Sequence, residues 1–202
     1  HSASGNPNIT IRGKTAHGAN PHLGVNAVDA AVLAVNAVNA IHGNPAVRHS
    51  MKTTRLVAIG NAGNTIPDEV AMVVDIRSHN NEEMENLIAK LREAVTRSAE
   101  AIGAEAVIPE PVAFSRAAEY DEDMKHTARE AITEVLGADK CLPDLYINGG
   151  EDFHDYAPML GCRAIYVGIG ADASPGLHHP EMSFNHKAME YGRDILIRIA
   201  EK

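Results

Sequence analysis

A chain of 202 residues with 45% hydrophobic side chains can bury one large core or two small ones. With aromatics at 4% and no tryptophan, that core is built from Val, Ala, Ile, Leu and Met. A formal charge of −9 speaks against nucleic acid and anionic membranes as partners, because both select basic surfaces.

No apolar stretch reaches the ~20 residues of a membrane span, no signal-peptide pattern is visible, and Cys141 and Cys162 make no disulfide framework. The expectation is a cytoplasmic protein with two reduced thiols. The first residue is His1 rather than Met, so the chain is not expected to open at a translational start. Residues 1–5 read as polar and flexible.

Residues 8–12 alternate Ile9 and Ile11 with polar side chains, the period of a strand. A Gly/Asn/Pro/His-rich turn follows over 13–24, then a helix over 25–41. Its polar positions Asn26, Asp29 and Asn36 form one stripe, Val28, Val32 and Val35 lie on another face, and its alanines allow close approach to a sheet. Strands are expected over 53–60 and 70–77, joined by the turn NAGNTIPD at 61–68. Met84, Leu87, Ile88, Leu91, Val95 and Ile102 mark the buried face of the next helix, opened by an Asn80/Glu83 capping box and stopped at Gly103. Residues 105–112 suit an edge strand because of Pro109 and Pro111. The order strand, helix, strand, strand, helix, strand is the ferredoxin-like βαββαβ arrangement, two helices on one face of a four-stranded antiparallel sheet. The other face must meet something else.

From about residue 113 the pattern changes. A helix is expected over 121–136, with Met124, Ala128, Ala131 and Val135 on one side and Gly137 as its stop. Gly149, Gly150, Glu151 and Asp152 form a loop opening a short helix. RAIYVGIG at 163–170 reads as a fully covered parallel strand, and a last helix is expected over 185–200, with Ala188, Tyr191, Ile195 and Ile199 inward. This half reads as a piece of an α/β layer structure with too few strands to close a sheet.

Three groups of residues stand out chemically. His178 and His179 follow the expected strand, where α/β sheets gather ligands, and a neutral imidazole there suits zinc or manganese; a polar loop with two exposed histidines fits the spacing as well. Glu151 and Asp152 suit helix capping as readily as the wall of a metal pocket. Asn64 in a tight turn and Arg77 at a strand end could together take a carboxylate, although a strand-end arginine is often only solvated.

The motifs GKTAHGANPHLG, NTIPD followed by VVDIR, GGEDF and GLHHPEMSFNHKAMEYG, in that order, resemble the N-acyl-amino-acid amidohydrolase and hippurate hydrolase family of dinuclear metallopeptidases, in the aminoacylase and carboxypeptidase group. The match runs along nearly all of the chain. The resemblance implies an α/β protein in two parts. Residues 1–112 would be an α+β, ferredoxin-like lid that makes a homodimer, and 113–202 the carboxy-terminal part of the catalytic α/β domain. It implies that His17 reaches into the partner's active site to stabilise an oxyanion. Asn64 and Arg77 would grip the substrate carboxylate, and GGEDF with Glu151 would belong to an active-site loop beside the substrate. His178 would be a metal ligand, with His179 the second choice. The substrate would be a small N-acyl amino acid or peptide, with two divalent metal ions (zinc, manganese or similar) as cofactors.

Family members draw their remaining metal ligands and catalytic glutamate from an amino-terminal segment whose motifs are not in this sequence. The chain alone is therefore expected to be inactive and to bind no metal tightly. Two other readings compete: a truncated homologue acting only as a dimerisation or ligand-binding module, and an unrelated α/β protein. The fragment and the module differ in what the second half does with its apolar surface. A fragment leaves that surface open, and a module closes it within the chain.

Overall fold

The computed structural model describes residues 1–59 and 62–202. The end of the strand expected at Gly60 and the start of the turn expected at Asn61 lie outside the described residues. The chain forms two compact units, His1–Ala118 with Tyr146–Asp152, and Glu119–Leu145 with Phe153–Lys202.

In the first unit the elements run β1 (Ala3–Gly5), β2 (Asn8–Arg12), β3 (Ala16–His17), α1 (Ala27–Asn39), β4 (His49–Ala58), β5 (Thr65–Ile66), β6 (Glu69–Ser78), α2 (Asn81–Glu100) and β7 (Glu105–Val107). The main sheet is antiparallel, with β6 between β4 and β2, and β7 beside β2. This is the ferredoxin-like order expected from the sequence. The opening segment differs from expectation. Residues 3–5 are a strand, paired with β6 on the same edge and in the same register as β2, with Ala3 opposite Ser78 and Asn8 opposite Val73. β1 and β2 are thus one strand interrupted at Asn6 and Pro7, where proline has no N–H to give the ladder.

Alternation along β6 sorts the two faces. Val70, Met72, Val74 and Ile76 are buried beneath the helices, while Ala71, Val73, Asp75 and Arg77 occupy the half-buried opposite face. Helix α2 buries Met84, Leu87, Leu91, Val95 and Ala99. The Asn80 side chain accepts from the Glu83 N–H at 2.8 Å, one half of the expected capping box. The other half is absent, because the Glu83 carboxylate turns to the Asn44 N–H at 2.8 Å and the Asn86 amide at 3.0 Å.

Helix α1 also departs from the expected pattern. It buries Ala27, Ala30, Ala31, Ala34 and Val38, while Val32 and Leu33 are 49% and 41% exposed. The small residues face inward because two helices share one narrow sheet face, and methyl groups allow the closest packing there.

The second unit holds α3 (Glu122–Leu136), α4 (Tyr156–Leu160) and α5 (Ala188–Ala200). Asp121 caps α3 through the Met124 N–H at 2.9 Å, and Gly137 ends it at φ 94°. Helices α3 and α5 pack together through Ala128, Ala131, Ala188 and Ile195, tied at the end by Lys202 to Glu130 and Glu134. The strand expected over 163–170 is not formed. An extended segment becomes a strand only in a ladder, and the second unit holds no other strand among its described residues to supply one. No helix among the described residues is long and apolar enough to cross a membrane.

Candidate functional site

The residues 13–24 are held against the 64–68 turn by backbone hydrogen bonds. The Gly13 N–H donates to the Asp68 carbonyl at 2.7 Å, the Gly18 N–H to the Asn64 carbonyl at 2.7 Å, and the Ala27 N–H to the Pro67 carbonyl at 3.1 Å. Lys14 and Val25 exchange two more at 2.8 and 2.9 Å. At Gly13 any side chain would collide with the Val25 carbonyl oxygen, so the approach requires glycine. The two-residue ribbon β3–β5 closes this arrangement with His17 opposite Thr65.

His17 and Asn64 therefore meet. The Asn64 amide lies 3.4 Å from His17 Nε2, and His17 Nδ1 accepts the Ala19 N–H at 3.1 Å. That second bond fixes the tautomer: a neutral ring accepting at Nδ1 carries its proton on Nε2. Nε2–H is then a donor on an exposed ring, and the matching group of Asn64 is its amide oxygen.

Arg77 is elsewhere. The β5 ribbon precedes the Glu69 end of β6, whereas Arg77 sits near the other end; at a strand rise of about 3.3 Å per residue the two ends are roughly 25 Å apart. Arg77 Nε and Nη2 donate to Asp75 Oδ1 at 3.0 and 2.9 Å, and the Asn6 amide donates to the same oxygen at 2.7 Å. Burial pushes the Asp75 carboxyl up, but hydrogen bonds from Arg77 and Asn6 and the Arg77 charge outweigh it and hold the group below the usual carboxylate range. The sequence reading did not single out Asp75. Strand alternation could have found it, since residues two apart share a face.

The GGED loop lies at this same end of the sheet. The Ser2 N–H donates to the Gly149 carbonyl at 3.1 Å and Ser2 Oγ to the Asn148 carbonyl at 2.8 Å. Gly150 approaches Ser4 so closely that an added Cβ would stand 2.7 Å from the serine Cβ, and Ser4 is the β1 neighbour of Arg77. His79 pairs with Asn148 at 3.1 Å and stacks edge-on against Tyr146. Asp152 accepts from Ser115 Oγ at 3.2 Å, while half-buried Glu151 makes no hydrogen bond or ion pair among the described residues. The first unit thus carries two separate clusters, His17 with Asn64 and Arg77 with the Glu151 loop.

His178 stands in the second unit, exposed, at φ 67°. Its neighbour His179 has Nδ1 occupied by the Glu181 N–H at 3.2 Å, whereas the His178 ring has no hydrogen-bond partner among the described residues. The Glu181 carboxylate, expected to orient a ring, does not do so; only its backbone is engaged. Among the described residues no three His, Cys, Asp or Glu side chains converge into a group that could hold a metal ion. A catalytic zinc takes about three protein ligands, so the donors present do not fit a metal site by themselves. His154, also passed over in the sequence reading, is buried among Tyr120, Phe153 and Tyr166 in the second unit.

Residues 1–102 match the family model of the M20 peptidase dimerisation domain. The chain belongs to that family. Among curated relatives, this M20 chain is 28% identical over 201 residues to an uncharacterized hydrolase of Sinorhizobium fredii, covering 96% of the chain and 47% of the relative. It is 28% identical over 209 residues to a p-aminobenzoyl-glutamate hydrolase homolog of Haemophilus influenzae, covering 96% and 46%. The chain spans about half the length of these relatives. Among solved structures, the M20 chain resembles an aminobenzoyl-glutamate utilization protein of Klebsiella pneumoniae (TM-score 0.76, 20% identity, 98% of this chain and 48% of that one). It also resembles a dinuclear metal-binding M20 peptidase of Bacillus subtilis (TM-score 0.74, 19% identity, 98% and 49%). At these identities the likeness is one of fold.

Proposed function

We propose that the chain is the lid and carboxy-terminal portion of a homodimeric hydrolase that cleaves the amide bond of N-acyl amino acids or small peptides. The observation that carries this reading is the His17 ring, whose Nδ1 is tied to the Ala19 N–H so that Nε2–H points outward as a donor. A preset neutral donor is what a developing oxyanion requires. Asn64 stands beside it, and Arg77 lies at the far end of β6. One carboxylate cannot reach both Asn64 and Arg77 of the same lid. If both serve one substrate, they come from two protomers, with His17 and Asn64 acting on the partner's site and Arg77 on its own. Glu151 lines the Arg77 side, and His178, the less encumbered of the histidine pair, contributes a metal ligand. The two divalent ions expected, zinc, manganese or similar, need further ligands from outside the described residues.

A module complete in itself would close its apolar surface. In the second unit Met159 and Leu177 are each 79% exposed, and 163–170 lies outside any ladder, which favours a part of a larger catalytic domain.

The test is complementation in the whole hydrolase. His17→Ala alone lowers kcat about 10²–10³-fold, as loss of an oxyanion donor does. A random mixture of His17→Ala and Arg77→Ala protomers recovers about one quarter of wild-type turnover, because half the dimers carry one intact site. Failure of the mixture to exceed either parent would remove the shared-site reading.

A further inference from the structure

Arg77 is not a free cation waiting for an anion. Its Nε–Nη2 edge is occupied by Asp75, and Asp75 is anchored across the strands by Asn6 at 2.7 Å. Asn6 lies in the break between β1 and β2, where the strand pairing lapses and a side chain can turn onto the sheet face. The residues opposite Arg77 on both sides are small, Ser4 on β1 and Ser50 on β4, so neither covers the guanidinium. Lys52, opposite Asp75 on β4, does not compete for the carboxylate, because its ammonium donates to Asn39 on α1 at 2.7 Å. What remains is the Nη1 side of the fork, which donates to no partner among the described residues.

We infer that Asp75, braced by Asn6, is a positioning residue that holds the Arg77 guanidinium with its Nη1 side presented to the substrate carboxylate. The inference rests on Arg77 being the carboxylate grip proposed above. An unbraced arginine samples many rotamers, and binding then includes the loss of that freedom; a fork already held loses less. Asp75 also sets a geometric filter. With one edge taken, Arg77 offers its remaining edge to a planar carboxylate and little to a neutral amide.

The test compares a free-carboxylate substrate with the corresponding carboxamide in the whole hydrolase. Arg77→Ala checks the underlying reading: KM rises for the carboxylate and not for the carboxamide, and equal effects on both overturn the grip itself. Given that result, Asp75→Ala raises KM for the carboxylate substrate about tenfold and for the carboxamide less than twofold, the loss falling on KM rather than kcat. Asp75→Asn, which keeps an acceptor for Nε–H, gives an intermediate value. If Asp75→Ala does not fold, Asn6→Ala at an exposed position produces the same selective rise at two- to threefold. A lower KM for the carboxylate in any of these variants makes Asp75 a mask instead of a brace, and an equal rise for both substrates makes it merely structural; either overturns the proposal.

Discussion

Glu83 shows how a single side chain joins distant pieces of the first unit. It is buried, yet it accepts from the Asn44 backbone and the Asn86 amide, and it lies close to Gly43 and His49. Burial pushes its carboxyl up, but the bonds from Asn86 and Asn44 and the charges of His49 and Lys90 prevail and hold it below the ordinary glutamate range. A folded-state pKa below the unfolded one contributes stability that is present above the unfolded value, about 4.3, and lost as pH falls through the folded value. Glu83→Ala should therefore cost about 1–3 kcal/mol at neutral pH, since the Asn44 and Asn86 donors lose their partner. Urea unfolding at pH 7 and pH 3 measures it. The gap between wild type and variant narrows at the lower pH, and a gap independent of pH would show that the charge plays no part.

At the scale of elements, α1 and β4 present the surface that suits a second copy of this chain. β4 is a ten-residue strand at the sheet edge with exposed Leu56 and Val57, and α1 turns Val32 and Leu33 outward. A long edge with apolar side chains invites pairing unless it is covered. Val32→Glu with Leu33→Glu, tested in the whole protein by light scattering after size exclusion, should convert a dimer to monomer with helix content intact. A dimer that persists would place the contact elsewhere.

The same helix shows where sequence pattern reaches its limit. The period of α1 was legible, but which stripe faces inward was not: valine is the more hydrophobic choice, yet alanine is what fits between a neighbouring helix and a sheet. β2, β4 and β6 and helix α2 were legible because their periodicity is local. β1 was not, since Ala3, Ser4 and Gly5 carry no strand signal and owe their conformation to β6, more than seventy residues later. Arg163–Gly170 failed in the opposite direction, with a strong local signal and no ladder to join. For the site, GKTAH and NTIPD marked His17 and Asn64, but nothing linear revealed that the two touch or that Arg77 lies far from both.

The whole molecule divides its tasks. The first unit has a continuous core, from Ile9 and Ile11 through Met72 and Ile76 to Leu87 and Leu91. The second leaves Met159, Leu160, Leu177, Met189 and Leu196 exposed on a small helical pair. Apolar exposure on this scale signals a surface that another polypeptide covers. The 202-residue chain should bind a hydrophobic dye such as ANS several-fold more strongly per molecule than the longer hydrolase does. Equal dye fluorescence from the two would mean that the extra polypeptide leaves these side chains in water.

The alanine stripe of α1 has one more effect. Methyl groups beneath the helix set how high its outer ridge stands above the sheet. Enlarging Ala30 or Ala34 lifts that ridge, so a change hidden from solvent alters the contour offered to a neighbouring molecule. Drift in the interior is thereby constrained by fit at the exterior, and the smallest side chains in the helix become the ones least free to vary.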